Sequence, residues 1–133
     1  MTSVEIPPQY LDLFSKRAFA HIATIMPDGS PHVSPIWIGY DGKFILVDSV
    51  KGRQKDRNMR REAHVAIEVQ DPDDPYRYLL IRGIVLEITE EGANDYIDEL
   101  SMRYRGTPYG AKDPAHPRVL YKIEPLKIAT SRH

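Results

Sequence analysis

Short apolar runs, each closed by a turn signal, fill residues 18–49, and they confine this part of the chain to antiparallel hairpins. Residues 18–26 (AFAHIATIM) are β-rich and apolar on both faces, which requires burial on both sides or a subunit interface. PDGS at 27–30 supplies a turn: proline pre-sets φ, aspartate bonds back to the backbone, and glycine permits positive φ. Residues 31–39 (PHVSPIWIG) read as a second strand. Tyr40-Asp41-Gly42 is the next hairpin turn, and 43–49 (KFILVDS) a third strand, so the first half is a three-stranded meander.

The flanking segments add helices and further strands. Residues 7–17 (PPQYLDLFSKR) predict a short first helix, with prolines at its start and Tyr10, Leu13, Phe14 and Arg17 three or four apart. Residues 51–61 carry no β-branched residue and predict a second helix. Residues 64–70 (HVAIEVQ) alternate as a half-buried strand, 71–75 (DPDDP) form a loop, and 76–89 form a long strand in which Gly83 marks a bulge or a close backbone approach. Thr89 is the expected N-cap of a helix with Ala93, Tyr96, Ile97, Leu100 and Tyr104 on one stripe and Gly106 as its stop. A loop at 107–117 leads to a last strand over 118–124, extensible past Pro125 to Thr130. About six strands in hairpins with two or three helices predict a mainly β fold, a small antiparallel barrel in one domain spanning residues 1–133.

Composition narrows the functional classes. With no cysteine, disulfide frameworks, thiolate metal sites and cysteine nucleophiles are excluded, and a cytoplasmic location is expected. No charge-free stretch is long enough to cross a membrane, and the N-terminus shows no signal-peptide pattern, so no membrane partner is expected. The histidines His21, His32, His64, His116 and His133 are scattered, and no metal site is predicted. No Ser-His-Asp set, carboxylate pair, Walker loop or GxGxxG fingerprint is present, so catalytic residues are not identifiable and any chemistry is expected to be a cofactor's.

Charge is unevenly spread. The net charge is -1, but Lys51 to Arg61 (KGRQKDRNMRR) carries six basic residues and one acid, leaving the remainder acidic. One concentrated basic segment in an acidic chain points to an anion, whereas a nucleic-acid binder has a broader basic surface, and no nucleic-acid partner is expected. Lys55 and Asn58 share a helix face at i,i+3. Arg53 and Lys55 diverge if both are helical, but Arg53 can reach the same anion from the helix N-terminus. A guanidinium fork and an ammonium point charge both suit phosphate.

Three runs then resemble one known family. His21-Ile22-Ala23-Thr24-Ile25 with Pro27-Asp28-Gly29-Ser30-Pro31-His32-Val33-Ser34-Pro35-Ile36-Trp37 is similar to the opening of pyridoxamine 5'-phosphate oxidase-like split β-barrel proteins. Gly52-Arg53-Gln54-Lys55-Asp56-Arg57-Asn58-Met59-Arg60-Arg61, and Asp71-Pro72-Asp73-Asp74-Pro75-Tyr76-Arg77-Tyr78 leading into Arg82-Gly83, resemble the branch that uses the deazaflavin coenzyme F-420. The resemblance spans residues 10 to 130. It implies a homodimeric split β-barrel with cofactor sites at the interface. The two-faced apolar strands at 18–26 and 77–86 give an independent reason for a partner, since one small barrel has one interior to fill.

By the same resemblance, Arg53, Lys55 and Asn58, with Gly52 ahead of them, hold the cofactor phosphate or its polyanionic tail. His32, Ser34, Pro35 and Ile36 lie along the ring edge, where Pro35 removes an amide donor and marks an edge strand. Ser49 reaches the ribityl or phosphate region, and Tyr76, Arg77 and Tyr78 arrive from the second subunit. Trp37 reads as core rather than as a stacking platform. The loop at 107–117 and the tail at 126–133 border the substrate pocket.

The implied activity is hydride transfer between reduced coenzyme F-420 and a small unsaturated substrate with an electron-poor C=C or C=N bond. Two alternatives stay open: an FMN-binding oxidoreductase of the same fold, and a non-catalytic cofactor carrier. Pyridoxamine phosphate oxidase itself is disfavoured, because the chain is short and lacks that enzyme's C-terminal Arg/His motif.

Overall fold

Only Trp37 and Ile38 separate two strands that lie at opposite edges of the same sheet, and this closes the fold. In the computed structural model, which describes residues 4–131, β1 (Ala20–Ile25), β2 (Pro31–Ile36), β3 (Gly39–Tyr40), β4 (Ile45–Val50), β5 (His64–Gln70), β6 (Tyr78–Thr89) and β7 (Arg118–Thr130) form one antiparallel sheet. Its order is β2-β1-β5-β6-β7-β4-β3. A two-residue link between the edge strands requires the sheet to curl until its edges nearly meet, a half-barrel split at β2 and β3.

The curl sets one buried face inward. β5 alternates Val65, Ile67 and Val69 inward against exposed His64, Ala66 and Gln70. Leu13, Ile22, Val47, Leu79, Ile81, Tyr121 and Ile123 fill the barrel, each essentially inaccessible to water. At about 25 cal/mol per Å² of apolar surface, each such side chain contributes about 1.5–3 kcal/mol relative to exposure. Pro35 sits on edge strand β2, where no further strand needs its missing amide.

The expected close approach at Gly83 is present. A Cβ there would lie 2.6 Å from the Glu124 carbonyl oxygen, and the β6–β7 register shifts between Arg82 and Gly83. The last strand does continue through Pro125 to Thr130.

Four expectations are corrected. The three-stranded meander does not form: β1 and β2 pair, but the 31–39 run breaks after Ile36, and β4 pairs along its length with β7. Turn chemistry alone could not reveal that a strand changes sides of the barrel. The first helix is a 3-10 turn over Pro8–Phe14. The basic segment is helical only over α1 (Gln54–Arg61). Thr89 accepts the Glu91 amide but does not cap α2 (Ala93–Arg105), whose N-cap is Gly92 at φ +80, a conformation open to glycine and costly for threonine. Gly106 ends α2 as expected, at φ +78.

α2 lies over the split. Ile97, Leu100 and Tyr104 make a second small core with Trp37, Tyr96 and Tyr109. The Tyr104 hydroxyl donates to the Ala18 carbonyl at 2.6 Å and accepts the Ile38 amide at 3.3 Å, which ties the helix to the link between β2 and β3. No helix among the described residues is long and apolar enough to cross a membrane.

Candidate functional site

The basic segment, edge strand β2 and the end of β4 converge on one open cavity of about 280 Å³. Its polar lining is Asp48, Ser49, Arg53, Lys55 and Arg118; its apolar lining is Phe19, Ile36, Trp37 and Ile97, with Pro35 and Tyr109 completing the wall.

Local structure explains the aim of Lys55. Gly52 turns the chain at φ +93 from β4 into α1. Arg53 is the N-cap, with extended backbone (φ -65, ψ 162), so it does not follow the helical spacing and its side chain reaches the same cavity as Lys55. The divergence expected for two helical residues disappears for that reason.

Two inward side chains pin the helix on either side of Lys55. Asp56, 2% exposed, accepts the Gly52 amide at 2.9 Å, the Tyr121 hydroxyl at 2.6 Å and Arg60 at 3.0 Å. Burial works to raise the Asp56 pKa, but these donors outweigh it and hold the carboxyl below its ordinary value. Asn58 is wholly buried; its amide donates to Thr24 Oγ1 at 3.0 Å and touches the Met26 sulfur, while its carbonyl accepts from Gln54 at 2.8 Å. The structure therefore spends Asn58 on fastening α1 to β1.

Lys55 is only 9% exposed and has no carboxylate partner among the described residues. Its ammonium donates to Ser34 Oγ at 3.3 Å. Burial, then Arg53, then Arg118 push its pKa down. A buried ammonium facing two guanidiniums is a costly arrangement without an anion, and an anion in the cavity relieves it. This is the fit for a phosphorylated cofactor: cations and apolar side chains line one cavity.

Arg118 and Asp48 pair across β4 and β7, Nε donating to Oδ1 at 2.8 Å. Asp48 Oδ2 is buried without a hydrogen-bond partner among the described residues. Burial pushes the Asp48 carboxyl up to about 7, with Arg118 and then Lys112 opposing. Trp37 is partly buried and stacks on Tyr104, ring centroids 5.1 Å apart and planes within 5°, so it serves the second core and the cavity wall at once.

The structure brings Ser34, Pro35, Ile36, Ser49, Arg53 and Lys55 together around the cavity, with Gly52 as the turn behind them. His32 lies farther along β2, partly buried, its Nδ1 without a partner among the described residues. Tyr76, Arg77 and Tyr78 do not line this cavity. Tyr76 is 85% exposed. Arg77 is occupied elsewhere, donating to Asp12 and Asp71 at 2.7 Å each.

Sequence reasoning missed Asp48, Arg118, Tyr109, Phe19 and Ile97. Only Asp48 left a signal, an acid inside the apolar run ILVDSV. Tyr109 belongs to the 107–117 loop, which does border the cavity. Of the tail at 126–133, the last two residues lie outside the described residues, and the others do not line it.

Comparison with known proteins identifies the family. Residues 6–132 match the family model described as pyridoxamine 5'-phosphate oxidase. A solved structure named an F-420 reductase is 34% identical, with 93% of this chain and 98% of that chain covered and a TM-score of 0.82. A conserved hypothetical protein from Mycobacterium tuberculosis is 26% identical, with 96% and 85% covered and a TM-score of 0.73.

Proposed function

The chain belongs to the pyridoxamine 5'-phosphate oxidase family, and from that premise we propose that it is an oxidoreductase that binds the deazaflavin coenzyme F-420 and transfers hydride between it and a small unsaturated substrate. One observation carries the reading: Lys55, buried and without a counter-ion among the described residues, shares with Arg53 and Arg118 a cavity that is also lined by apolar side chains. The similarity to a structure named an F-420 reductase favours the deazaflavin over FMN.

In this reading Lys55 and Arg53 hold the phosphate. Ser34 orients the Lys55 ammonium, and Ser49 lines the same cavity. The β2 backbone at Ser34–Ile36, open on its outer edge, meets the polar edge of the ring. Bound there, the cofactor supplies hydride chemistry to an electron-poor C=C or C=N bond. The protein fixes the ring against Ile36 and Trp37 and keeps water from one face.

A second copy of the chain completes the site. The outer sheet face carries a groove of about 490 Å³ lined by Ala23, Val33, Ala66, Leu80 and Ala129, with Val33 65% exposed. A homodimer across this face buries it, and brings Tyr76 and Tyr78 toward the partner's cavity.

Titration of purified protein with F-420 and with FMN, followed by absorbance or fluorescence, tests the cofactor. F-420 is expected to bind more tightly. Tighter binding of FMN at low and near-physiological salt would replace the deazaflavin by FMN, and binding of neither would remove the reading. Sedimentation at micromolar concentration is expected to give a dimer; a monomer there would sink the two-subunit site.

A further inference from the structure

Among the described residues, Phe19 is the one large hydrophobic side chain that is both exposed and part of the cavity wall. The other large hydrophobics left exposed, such as Val33, Tyr76 and Leu86, do not line it. Phe19 is 56% exposed. An aromatic ring carries a large apolar area, and leaving most of it in water forgoes the stabilisation that cover would bring.

The ring stands on a firm support. It packs against Tyr104 with centroids 5.4 Å apart and planes tilted by 54°, and Trp37 stacks on the same Tyr104. Tyr104 is buried and does not line the cavity; its hydroxyl bonds the Ala18 carbonyl and the Ile38 amide. Ala18 precedes Phe19 and Ile38 follows Trp37, so one buried tyrosine holds the backbone beside both cavity rings. An exposed ring already held in place stacks on a flat ligand at little further cost in freedom.

Capacity decides which ligand reaches it. The cavity, about 280 Å³, is slightly smaller than those that enclose a drug-sized molecule, about 300–1,000 Å³. It has no room for a cofactor and a second molecule together. A substrate therefore meets the bound cofactor at the mouth of the cavity, where the wall is open to water at Phe19.

We propose that Phe19 is a specificity-determining residue: the substrate lays a flat conjugated ring on it, and flat substrates are selected over puckered ones that carry the same reducible bond. This rests on the reading that a deazaflavin fills the cavity and reduces an electron-poor C=C or C=N bond.

The test uses the full chain loaded with oxidised F-420, so that ketone binding is measured without turnover. Benzylideneacetone and its cyclohexyl counterpart carry the same enone and differ in having a flat or a puckered ring. Benzylideneacetone is expected to bind about 5- to 20-fold more weakly to Phe19→Leu than to wild type, and Phe19→Trp is expected to restore the affinity. The cyclohexyl ketone should lose about twofold at most in Phe19→Leu, because leucine keeps an apolar contact.

Fluorine NMR reports the contact itself. The chain has three phenylalanines, of which Phe14 is buried and Phe44 partly buried. With para-fluorophenylalanine at all three, benzylideneacetone is expected to shift the Phe19 resonance, assigned by its loss in Phe19→Leu, and to leave that of Phe14 in place. Failure of benzylideneacetone to bind, equal losses for the two ketones in Phe19→Leu, or no shift at Phe19 on saturation would each overturn the proposal. So would a Phe19 resonance that moves with protein concentration in the absence of ketone, which assigns the ring to a contact between copies. Any of these results with F-420 bound leaves the cofactor reading standing. If FMN binds in place of F-420, the deazaflavin falls, and the same ketone measurements on the FMN-loaded protein decide the role of Phe19. If neither binds, the reading and this proposal fall together.

Discussion

Arg77, partly buried, and Lys55, buried, are both cations turned toward other parts of the fold, and the chain surrounds them differently. Arg77 donates to Asp12 and to Asp71 at 2.7 Å, and Lys16 braces the same acids. Its pKa is raised, first by Asp12 and then by Asp71. Lys55 has a hydroxyl at 3.3 Å and two guanidiniums nearby, and its pKa is lowered. Arg77 is a finished clamp that fastens the N-terminal 3-10 helix to the loop before β6. Lys55 is an unfinished one. A cation that costs stability where it stands is retained for what it binds, whereas a cation in a satisfied network explains itself by folding.

The sharpest way to break this contrast is to neutralise each cation with a side chain of similar length. Lys55→Met is expected to weaken cofactor binding by about 10- to 100-fold, the loss of one charge-assisted contact of about 1.5–3 kcal/mol. Its ligand-free stability should stay level or rise, because a penalised charge is removed. Arg77→Met should behave in the opposite way. It is expected to destabilise by about 1–3 kcal/mol, since it leaves the buried Asp71 carboxylate with fewer donors, and to leave the affinity within about twofold. Denaturant melts and ligand titrations on both variants decide it. A stability loss in Lys55→Met as large as in Arg77→Met would end the distinction.

Acid sharpens the same contrast. The Asp73 amide, then Arg77 and Lys16, hold Asp71 down at about 2 against the opposing effect of burial. A carboxyl with a folded-state pKa below its unfolded value, about 3.9, contributes stability that is complete above the unfolded pKa. That contribution is lost as pH falls through the folded one. The clamp should therefore weaken between about pH 4 and about pH 2, and Asp71→Asn should remove that part of the slope. Lys55 works at the other end. Its folded pKa lies below the unfolded value, so the unfolded chain binds more protons in the window between them, and stability should rise with pH there. Lys55→Met should lack that rise.

How much of this was legible beforehand depended on whether the signal was local. Strand β5, the Gly106 stop and the close approach at Gly83 follow from alternation and from glycine's freedom, and all three are present. The 31–39 run was legible as extended chain but not as two strands on opposite edges, because that break is made by barrel closure and by Tyr104 on α2 holding Ile38. In the site, the concentration of charge at 51–61 pointed to the right segment. It did not say that Asn58 would be spent on Thr24 or that Arg77 would be neutralised by Asp12, 65 residues away. Arg118 reaches the cavity because β7 pairs with β4, and Tyr109 because Asp98 on α2 accepts its amide at 2.9 Å; no local pattern announces either contact.

The smallest expected effect tests whether Lys55 is aimed or merely present. Ser34 is its one hydrogen-bond partner among the described residues, and the 3.3 Å separation marks a weak bond. Ser34→Ala removes an orienting contact and leaves the charge in place. The ammonium keeps its depth, held by the anchors on either side of it at Asp56 and Asn58. Stability should change by less than about 0.5 kcal/mol, as for partly buried substitutions that break no network. Affinity should fall only about two- to fivefold, because a ligand oxygen replaces the lost acceptor and only the ordering of the ammonium is forfeited. The double variant Ser34→Ala with Lys55→Met then measures the coupling. If Ser34 acts through Lys55, its effect vanishes in the Lys55→Met background. An undiminished loss there would mean that Ser34 meets the ligand directly, and Lys55 would be oriented by the helix alone.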